Sequence, residues 1–439
     1  MMILTMTVIN ISILKINGQC SFLILFVPLL LLIDFYVLSG FRGIKWQFLH
    51  KKWFTIIYWI FSILVIVGML FVTYSKAGFG IRFMLLVLFF LVLLCKISFI
   101  PFLFADDLRR LALCFINRHK KPQTEKQTSS TVYNSIPRSE FLMKAGILAG
   151  GVPLAALGVI MKRGLYDYQV KHQKLYLPNL PKSFDGIRIG QISDLHIGNL
   201  KNKTAVLGGV EMLMREKTDI IFFTGDLVDA FGYEMADKFS ILGKIKAPLG
   251  VYSTLGNHDY GDYMNWSSPQ EKKKNFDEIL SAHKALGWDL LRNENRRLKL
   301  NGEEIGILGV ENWGAFSWLP KYGRVDLAVK NTDDLPVKLL LSHDPSHWQA
   351  QILPKYPQID VTFSGHTHGM QLGVRTNDFQ WSPVQYIFKE WAGIYREGAQ
   401  QLYVNVGFGF LAVEGRVGIL PEITIFELKA ASNPSVMKA

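Results

Sequence analysis

Five short polar clusters in the second half of the chain contain residue types that bind metal ions. They are Asp194-Leu195-His196, Gly225-Asp226, Gly256-Asn257-His258-Asp259, Ser342-His343-Asp344 and Gly365-His366-Thr367-His368. The three cysteines, Cys20, Cys95 and Cys114, all lie in the first half, so the ligands must be nitrogen and oxygen atoms. Such a set suits manganese, iron or zinc better than calcium. The clusters therefore predict a metal centre.

Each polar cluster directly follows an apolar run of the length that buried strands have. The runs are 187–192, 220–223, 251–255, 337–341 and 361–363. A helical stretch at 203–217 separates the first two runs, and alternation of strands with helices favours an α/β layered fold. In such folds ligands gather at the carboxyl ends of the strands. We therefore expect the five clusters to meet at one edge.

The number of polar side chains exceeds what one ion uses. Asp194 and His196 are two residues apart, so in an extended segment their side chains would point to the same face and bind one ion. The carboxylate of Asp226 has two oxygens and could bridge two ions. Four neutral donors would complete two coordination shells; they are Asn257, His343, His366 and His368. The sequence thus predicts two divalent ions, with manganese as the first choice and iron or zinc as alternatives.

These motifs also resemble a known family. Asp-x-His, Gly-Asp-x-x-Asp, Gly-Asn-His-Asp, a lone His and Gly-His-x-His, in that order, resemble the calcineurin-like metallophosphoesterases. The segments 364–369, 402–407 and 421–424 are most similar to the membrane-associated bacterial branch of that superfamily, the YkuE-like phosphoesterases. The resemblance implies a metal-dependent phosphoesterase whose catalytic domain, residues 178–430, is a layered β-sandwich flanked by helices.

The resemblance also implies a role for each site residue. One ion would be held by Asp194, His196, Asp226 and His368. The other would be held by Asp226, Asn257, His343 and His366. His258 would be the catalytic histidine that acts on the substrate, while Asp229 and Asp259 would orient the metal ligands by hydrogen bonding. A water molecule activated between two ions would attack the phosphorus atom directly.

The first part of the chain has a different character. Its first 177 residues carry 20 Lys and Arg against 6 Asp and Glu, whereas the rest carry 28 against 30, so the net charge of +12 belongs to the first part. The basic residues flank apolar segments instead of forming a patch, so nucleic acid binding is not expected. Residues 1–161 predict a transmembrane region with spans at about 20–41, 54–74 and 83–104, and with a fourth, smaller-residue segment at 141–161. We assign 105–140 to a cytoplasmic linker, 162–177 to a connector and 431–439 to a C-terminal tail.

Loop charges predict the orientation of these spans. The loops after the first and third spans are rich in Lys and Arg, whereas the loop after the second has only Lys76 and Arg82. Because basic loops stay in the cytoplasm, four spans in a cytoplasmic membrane would place the catalytic domain outside the cytoplasm. If 141–161 is instead a buried or peripheral helix, the catalytic domain is cytoplasmic.

Three functions remain open on the sequence. The first is an envelope phosphoesterase acting on a lipid-, sugar- or nucleotide-linked phosphoester. The second is a pyrophosphatase of lipid A synthesis that cleaves UDP-2,3-diacylglucosamine at the cytoplasmic face. The third is a membrane receptor or scaffold without catalysis. Aromatic residues in 260–266 and 311–319, together with Trp381, Phe388 and Trp391, would either rim the site or belong to the core. The sequence does not indicate an oligomeric state.

Overall fold

The computed structural model describes residues 19–74, 79–118, 138–376 and 378–431 of the chain. It contains two compact units, residues 1–158 and 159–439. The α-helices are α1 (Gln19–Phe41), α2 (Lys52–Tyr74), α3 (Phe79–Arg118), α4 (Arg138–Gly164), α5 (Lys203–Arg215), α6 (Phe239–Leu242), α7 (Pro269–Leu286), α8 (Val325–Ala328) and α9 (Leu353–Lys355). The strands are β1 (Gln169–Leu177), β2 (Arg188–Ile192), β3 (Ile220–Phe223), β4 (Val251–Ser253), β5 (Asp289–Leu290), β6 (Glu294–Leu300), β7 (Glu303–Gly309), β8 (Lys338–Leu341), β9 (Val361–Ser364), β10 (Val374–Arg375), β11 (Gln380–Trp381), β12 (Gly393–Glu397), β13 (Gln400–Val404) and β14 (Glu422–Ala430).

The first unit is helical and largely apolar. Within its described residues, Lys52–Val72 and Leu85–Ile116 are long and apolar enough to cross a membrane, and Phe26–Phe41 is a shorter apolar stretch. Helix α4 contains the fourth predicted segment, 141–161, whose spanning stays a prediction. The apolar residues of α1, α2 and α3 form a shared cluster that includes Leu30, Val65 and Phe89.

The third helix is longer than predicted. We expected a span at 83–104 followed by a linker from 105 to 140, but α3 continues to Arg118. The Asp106 carboxylate pairs with Arg109 at 2.8 Å and with Arg110 at 2.7 Å, three and four residues along, and such pairs stabilise a helix. Residues 119–137 of the predicted linker lie outside the described residues, and 138–140 already belong to α4.

The charged residues within the first three predicted spans, Asp34 and Lys96, pair with each other. Lys96 Nζ in α3 lies 2.5 Å from the carboxylate of Asp34 in α1, which is buried. The Tyr58 hydroxyl of α2 donates to Asp34 at 2.9 Å, and Lys96 also donates to the Ser62 hydroxyl at 2.9 Å. A buried charge is tolerated in an apolar bundle only when it is paired and hydrogen-bonded, so this network links three helices.

The second unit contains two six-stranded mixed sheets that pack face to face. The first sheet has the order β1-β14-β2-β3-β4-β5, and the second has β12-β13-β9-β8-β7-β6. Apolar residues from both sheets fill the space between them, as in the contact of the Phe222 and Phe363 rings, whose centroids are 5.0 Å apart. Helices α5 and α7 cover the outer face of the first sheet, and the apolar cluster around Trp348 covers that of the second. The predicted layered β-sandwich flanked by helices is confirmed.

The predicted connector 162–177 contains a strand, so the predicted start of the domain at 178 is wrong. Strand β1 pairs in parallel with β14 from Gln169 opposite Glu422 to Leu177 opposite Ala430. Leu165 and Tyr168 are already buried in the core of the unit. An edge strand has one partner and exposes polar side chains, so its pattern resembles that of a linker. Residues 432–439 of the predicted tail lie outside the described residues.

Candidate metal centre

The five polar clusters meet at one edge of the sandwich because each follows a strand of a parallel pair. Asp194, Asp226 and Asn257 come after β2, β3 and β4 of the first sheet, which pair in parallel. His343 and the pair His366 and His368 come after β8 and β9 of the second sheet, which also pair in parallel. The carboxyl ends of parallel strands point the same way, so each sheet supplies part of one site.

The backbone at several of these residues is left-handed. The φ angles are 53° at Asp194, 40° at His196, 57° at Asp226, 73° at His366 and 48° at His368. We expected an extended segment at Asp194 and His196, and this expectation is wrong, since β2 ends at Ile192 and a tight turn follows. Left-handed backbone at such residues costs about 1 kcal/mol each and is typical of functional sites.

A first group of ligand atoms comes from Asp194, His196 and His368, whose side chains are buried and whose ligand atoms lie within 4.8 Å of one another. His368 Nε2 is 3.3 Å from Asp194 Oδ1. The amide of His366 also donates to Asp194 Oδ1 at 3.0 Å, which holds the loop after β9 against the loop after β2. A Cβ atom at Gly365 would lie 2.1 Å from Asp194 Oδ2, so this approach requires glycine.

A second group comes from Asp226, His343 and His366. His343 Nε2 is 3.1 Å from Asp226 Oδ2, and His196 Nε2 of the first group is 3.5 Å from the same oxygen. Asp226 therefore lies between the two groups. The amide oxygen of Asn257 lies 2.8 Å from His366 Nδ1, which places Asn257 at the second group. The structure thus brings together all seven residues predicted as metal ligands.

The buried nitrogens of this site provide a test of whether the site suits cations. The Nε2 atoms of His196, His343 and His368 have no hydrogen-bond partner among the described residues, although each faces a carboxylate. Burial alone would lower the pKa of His343, but the carboxylates of Asp226 and Asp194 outweigh it and raise that pKa to about 10. Positive charge is therefore stabilised at His343, and the nitrogen and oxygen donors of the site fit divalent transition metal ions.

Neighbouring groups fix the orientation of the ligand side chains. The carbonyl oxygen of Thr224 accepts from His343 Nδ1 at 2.7 Å, so Nε2 is the nitrogen of that ring that faces the carboxylates. Asp229 Oδ1 is 3.2 Å from His196 Nδ1. The carboxylate of Asp259 accepts from the amides of Asp226 at 3.0 Å and Gly256 at 2.9 Å, and so it ties the loop after β3 to the loop after β4. Asp229 Oδ1 and His196 Nδ1 approach each other without the geometry of a hydrogen bond, and the orienting roles of Asp229 and Asp259 stay predictions.

His258 lies at the mouth of the site. Its side chain is 15% exposed, and its ring centroid is 4.9 Å from that of His196. The carbonyl oxygen of Asp229 accepts from His258 Nδ1 at 2.8 Å, which leaves Nε2 available. Burial lowers the pKa of His258 from its ordinary value. The ring is therefore positioned by one neighbour and free at its other nitrogen.

Three residues near the centre have positions that the sequence did not reveal. Asp344 Oδ2 is buried, has no hydrogen-bond partner among the described residues and lies 3.7 Å from His366 Nε2. The Tyr263 hydroxyl accepts from Asn257 Nδ2 at 2.9 Å, which turns the amide oxygen of Asn257 towards His366. Arg416 is buried, with Nη2 3.4 Å from His368 Nδ1. Asp344 stands within one of the five clusters and Tyr263 in an aromatic segment, but nothing in the sequence distinguishes Arg416.

Family comparisons agree with the site. Residues 187–370 match the model of the calcineurin-like phosphoesterases. Residues 20–165 match the model described as "Probable Calcineurin-like phosphoesterase, transmembrane domain". The two matches cover the helical unit and most of the sandwich, including the five clusters.

Similar proteins come from bacteria and from animals. The Bacillus subtilis protein named "Uncharacterized metallophosphoesterase YkuE" is 28% identical over 298 residues, which are 65% of this chain and 95% of that protein. A Danio rerio "Transmembrane protein with metallophosphoesterase domain" is 28% identical over 57% of this chain and 55% of its own length. The "UDP-2,3-diacylglucosamine pyrophosphatase LpxG" of Chlamydia trachomatis is 28% identical over 53% of this chain and 81% of that protein. Residues 187–370 therefore belong to the calcineurin-like phosphoesterases, a family of metal-dependent hydrolases, and residues 20–165 match the transmembrane domain found with them.

Proposed function

We propose that this chain is a membrane-anchored phosphoesterase that hydrolyses a phosphomonoester, phosphodiester or pyrophosphate with two divalent metal ions. The observation that carries the proposal is the set of buried Nε2 atoms of His196, His343 and His368, which face the carboxylates of Asp194 and Asp226 and have no hydrogen-bond partner among the described residues. Buried polar atoms normally have partners, so a convergent set without them is typical of a metal site.

Each ion would have its own ligands around the shared carboxylate of Asp226. Asp194, His196 and His368 would complete one set, and Asn257, His343 and His366 would complete the other. When bound, such a pair of ions supplies Lewis-acid activation of water and neutralises charge on the phosphoryl group. Manganese is our first choice, with iron or zinc as alternatives.

His258 is the residue that we assign to the chemistry of the substrate. The hydrogen bond to the Asp229 carbonyl keeps one proton on Nδ1, so Nε2 faces the mouth with a lone pair that can take up a second proton. In its protonated form the ring donates from Nε2 to a phosphoryl oxygen, or gives that proton to the departing oxygen. Asp229 would hold the His196 ring in place, and Asp259 would hold the loops after β3 and β4 together.

The helical unit would anchor the protein in a bilayer, and the orientation of its spans would decide on which side of the membrane the catalytic domain lies. The basic loops after the first and third predicted spans support a catalytic domain outside the cytoplasm, at the cell envelope. A second candidate function is hydrolysis of UDP-2,3-diacylglucosamine at the cytoplasmic face, and it is favoured by the similarity to the Chlamydia trachomatis pyrophosphatase. A reporter enzyme that is active only outside the cytoplasm, fused to the C-terminus, distinguishes the two: activity eliminates the second candidate.

The activity itself is tested with the full chain in detergent. With manganese it should hydrolyse a mono-aryl or bis-aryl phosphate. His258→Ala should lower kcat by about 10²- to 10⁴-fold, and Asp226→Asn should abolish turnover together with binding of the second ion. The exposed His172 and Asp333 provide matched control variants, His172→Ala and Asp333→Asn, which should retain activity. Absence of turnover with manganese, iron and zinc over a broad substrate panel would instead support a receptor or scaffold.

A further inference from the structure

We propose that three aromatic side chains beside the metal centre bind an acyl chain of the substrate, so that the substrate is a lipid-like phosphoester. The three are Phe388, Phe316 and Trp318, which we call the aromatic shelf. The inference rests on the proposed function, because it assigns the organic part of the ester that the metal centre would cleave. The inference concerns how the catalytic unit recognises the organic part of the ester.

The rings of the aromatic shelf form a continuous series that begins at a metal ligand. The Phe388 ring lies 5.2 Å from the His366 ring, centroid to centroid. The Phe316 ring lies 5.2 Å from the Phe388 ring at 84°, and the Trp318 ring stacks on Phe316 at 4.7 Å and 9°. Trp318 is 66% exposed. The shelf thus leads from the centre to solvent.

Packing and hydrogen bonds hold Phe388 and the loop of Phe316 in place within the aromatic shelf. Phe388 packs against a buried apolar cluster that includes Trp391 and Ile419. The loop that carries Phe316 is fixed by Ser346, whose hydroxyl accepts from the Ala315 amide at 2.9 Å and donates to Asp344 Oδ1 at 2.6 Å. Asp344 directly follows the metal ligand His343. The shelf is therefore positioned by the same segment that would supply a metal ligand, and a preorganised surface costs less entropy on binding.

The chemistry of the aromatic shelf favours an acyl chain over a base or a sugar. Its surface is ring carbon with a single polar group, the indole N–H of Trp318. A base or sugar has several donors and acceptors and requires placed polar partners for specific recognition, whereas an alkyl chain requires only apolar area. The three rings are contiguous and lead to an exposed tryptophan, and contiguous exposed apolar surface is typical of a ligand or partner site. The chain also matches a transmembrane domain, so the protein belongs to a membrane, where acyl chains are abundant.

The test measures binding and turnover as a function of alkyl chain length. The full chain in detergent, loaded with manganese, is titrated with methyl-, butyl- and hexylphosphonate, which lack a cleavable ester. We expect the affinity to rise about twofold per methylene, because each methylene would be covered on one side. Turnover of methyl, butyl and hexyl p-nitrophenyl phosphate should follow the same trend in kcat/KM.

Variants of the shelf test the assignment. Trp318→Ala and Phe316→Ala should remove the dependence on chain length and leave the methyl compounds within about twofold of the unaltered chain. Phe379→Ala, at a phenylalanine that is 58% exposed on the β10–β11 hairpin, is the control and should keep the dependence. Persistence of the dependence in both shelf variants overturns the proposal. So does a preference for a thymidine ester that Trp318→Ala removes, since it would assign the shelf to a base.

The phosphonate binding measurements test the aromatic shelf independently of the proposed hydrolytic activity. If the chain hydrolyses none of the esters but binds hexylphosphonate more tightly than methylphosphonate, and Trp318→Ala removes that difference, the shelf is supported and the proposed activity fails. If the chain hydrolyses all esters equally and binds all phosphonates equally, the activity is supported and the shelf is overturned.

Discussion

A buried histidine outside the metal centre should make the catalytic unit sensitive to acid. His283 in α7 is fully buried, and Ser253 Oγ lies 3.0 Å from its Nδ1 atom. Burial lowers the pKa of His283 from 6.5 to about 3. The His283 imidazole therefore becomes protonated near pH 6.5 in the unfolded chain but only near pH 3 in the folded chain.

The sign and size of the effect follow from this difference in pKa. The contribution of His283 to stability is complete above pH 6.5 and is lost as the pH falls from 6.5 towards 3. Between pH 8 and pH 5, linkage with these two values gives a loss of about 2 kcal/mol in the free energy of unfolding. The measurement is urea unfolding of the full chain in detergent with EDTA, followed by tryptophan fluorescence, to which the buried Trp288 beside His283 contributes.

The comparison uses variants that leave no unpaired partner. Ser253→Ala removes the hydroxyl in both backgrounds, so that His283→Phe does not leave a buried oxygen without a hydrogen bond. The Ser253→Ala variant should lose about 2 kcal/mol more between pH 8 and pH 5 than the Ser253→Ala/His283→Phe variant. Equal losses in the two variants would refute the reasoning, because the buried imidazole would then not be a source of the acid sensitivity.

Three further predictions concern the metal centre and the helical unit. Tyr263→Phe removes the hydroxyl that accepts from Asn257 at 2.9 Å and should weaken binding of the ion held by Asn257 about fivefold, measured by metal titration. Gly365→Ala should abolish activity and lower the melting temperature, because a Cβ atom there would lie 2.0 Å from Ser193 Oγ. Asp34→Asn leaves the Lys96 ammonium without its carboxylate and should destabilise the helical unit by about 3 kcal/mol in thermal unfolding.

Each of these predictions has a matched control. Tyr233→Phe, at an exposed tyrosine that stacks on Phe231, should leave metal affinity unchanged. Gly208→Ala, in α5 where an added Cβ meets no atom within 4 Å, should raise stability by about 1 kcal/mol. Asp34→Asn combined with Lys96→Met removes both charges and should recover most of the stability, since the buried cation is gone. A double variant as unstable as the single one would contradict the ion-pair argument.

The sequence was sufficient to predict the layered fold and the meeting of the clusters. Residues such as Asp226 and His343 follow short apolar runs, which is the pattern of buried parallel strands. The polar residue after each run marks the carboxyl end of the strand. The order of the motifs then supported the family. These features are local in the sequence, so they can be recognised without knowledge of the tertiary structure.

Features that depend on tertiary partners could not be predicted in the same way. Strand β1 looked like a connector because its one partner, β14, lies more than 240 residues later along the chain. The left-handed backbone at Asp194 and His196 goes with contacts such as that of the His366 amide on the Asp194 carboxylate, which are 172 residues apart. The buried position of Arg416 beside His368 has no local signal at all. Long-range contacts decide each of these three cases.

The division of the donor atoms between the two sheets affects how long the folded domain would persist. Asp194, His196 and Asp226 follow strands of the first sheet, and His343 and His368 follow strands of the second, so the complete set exists only after the sandwich has closed. Ions that bind only the folded chain stabilise it by mass action, and here they would also join the two sheets as cross-links. Scarcity of the metal would therefore shorten the lifetime of the domain against unfolding and proteolysis as well as reduce its turnover.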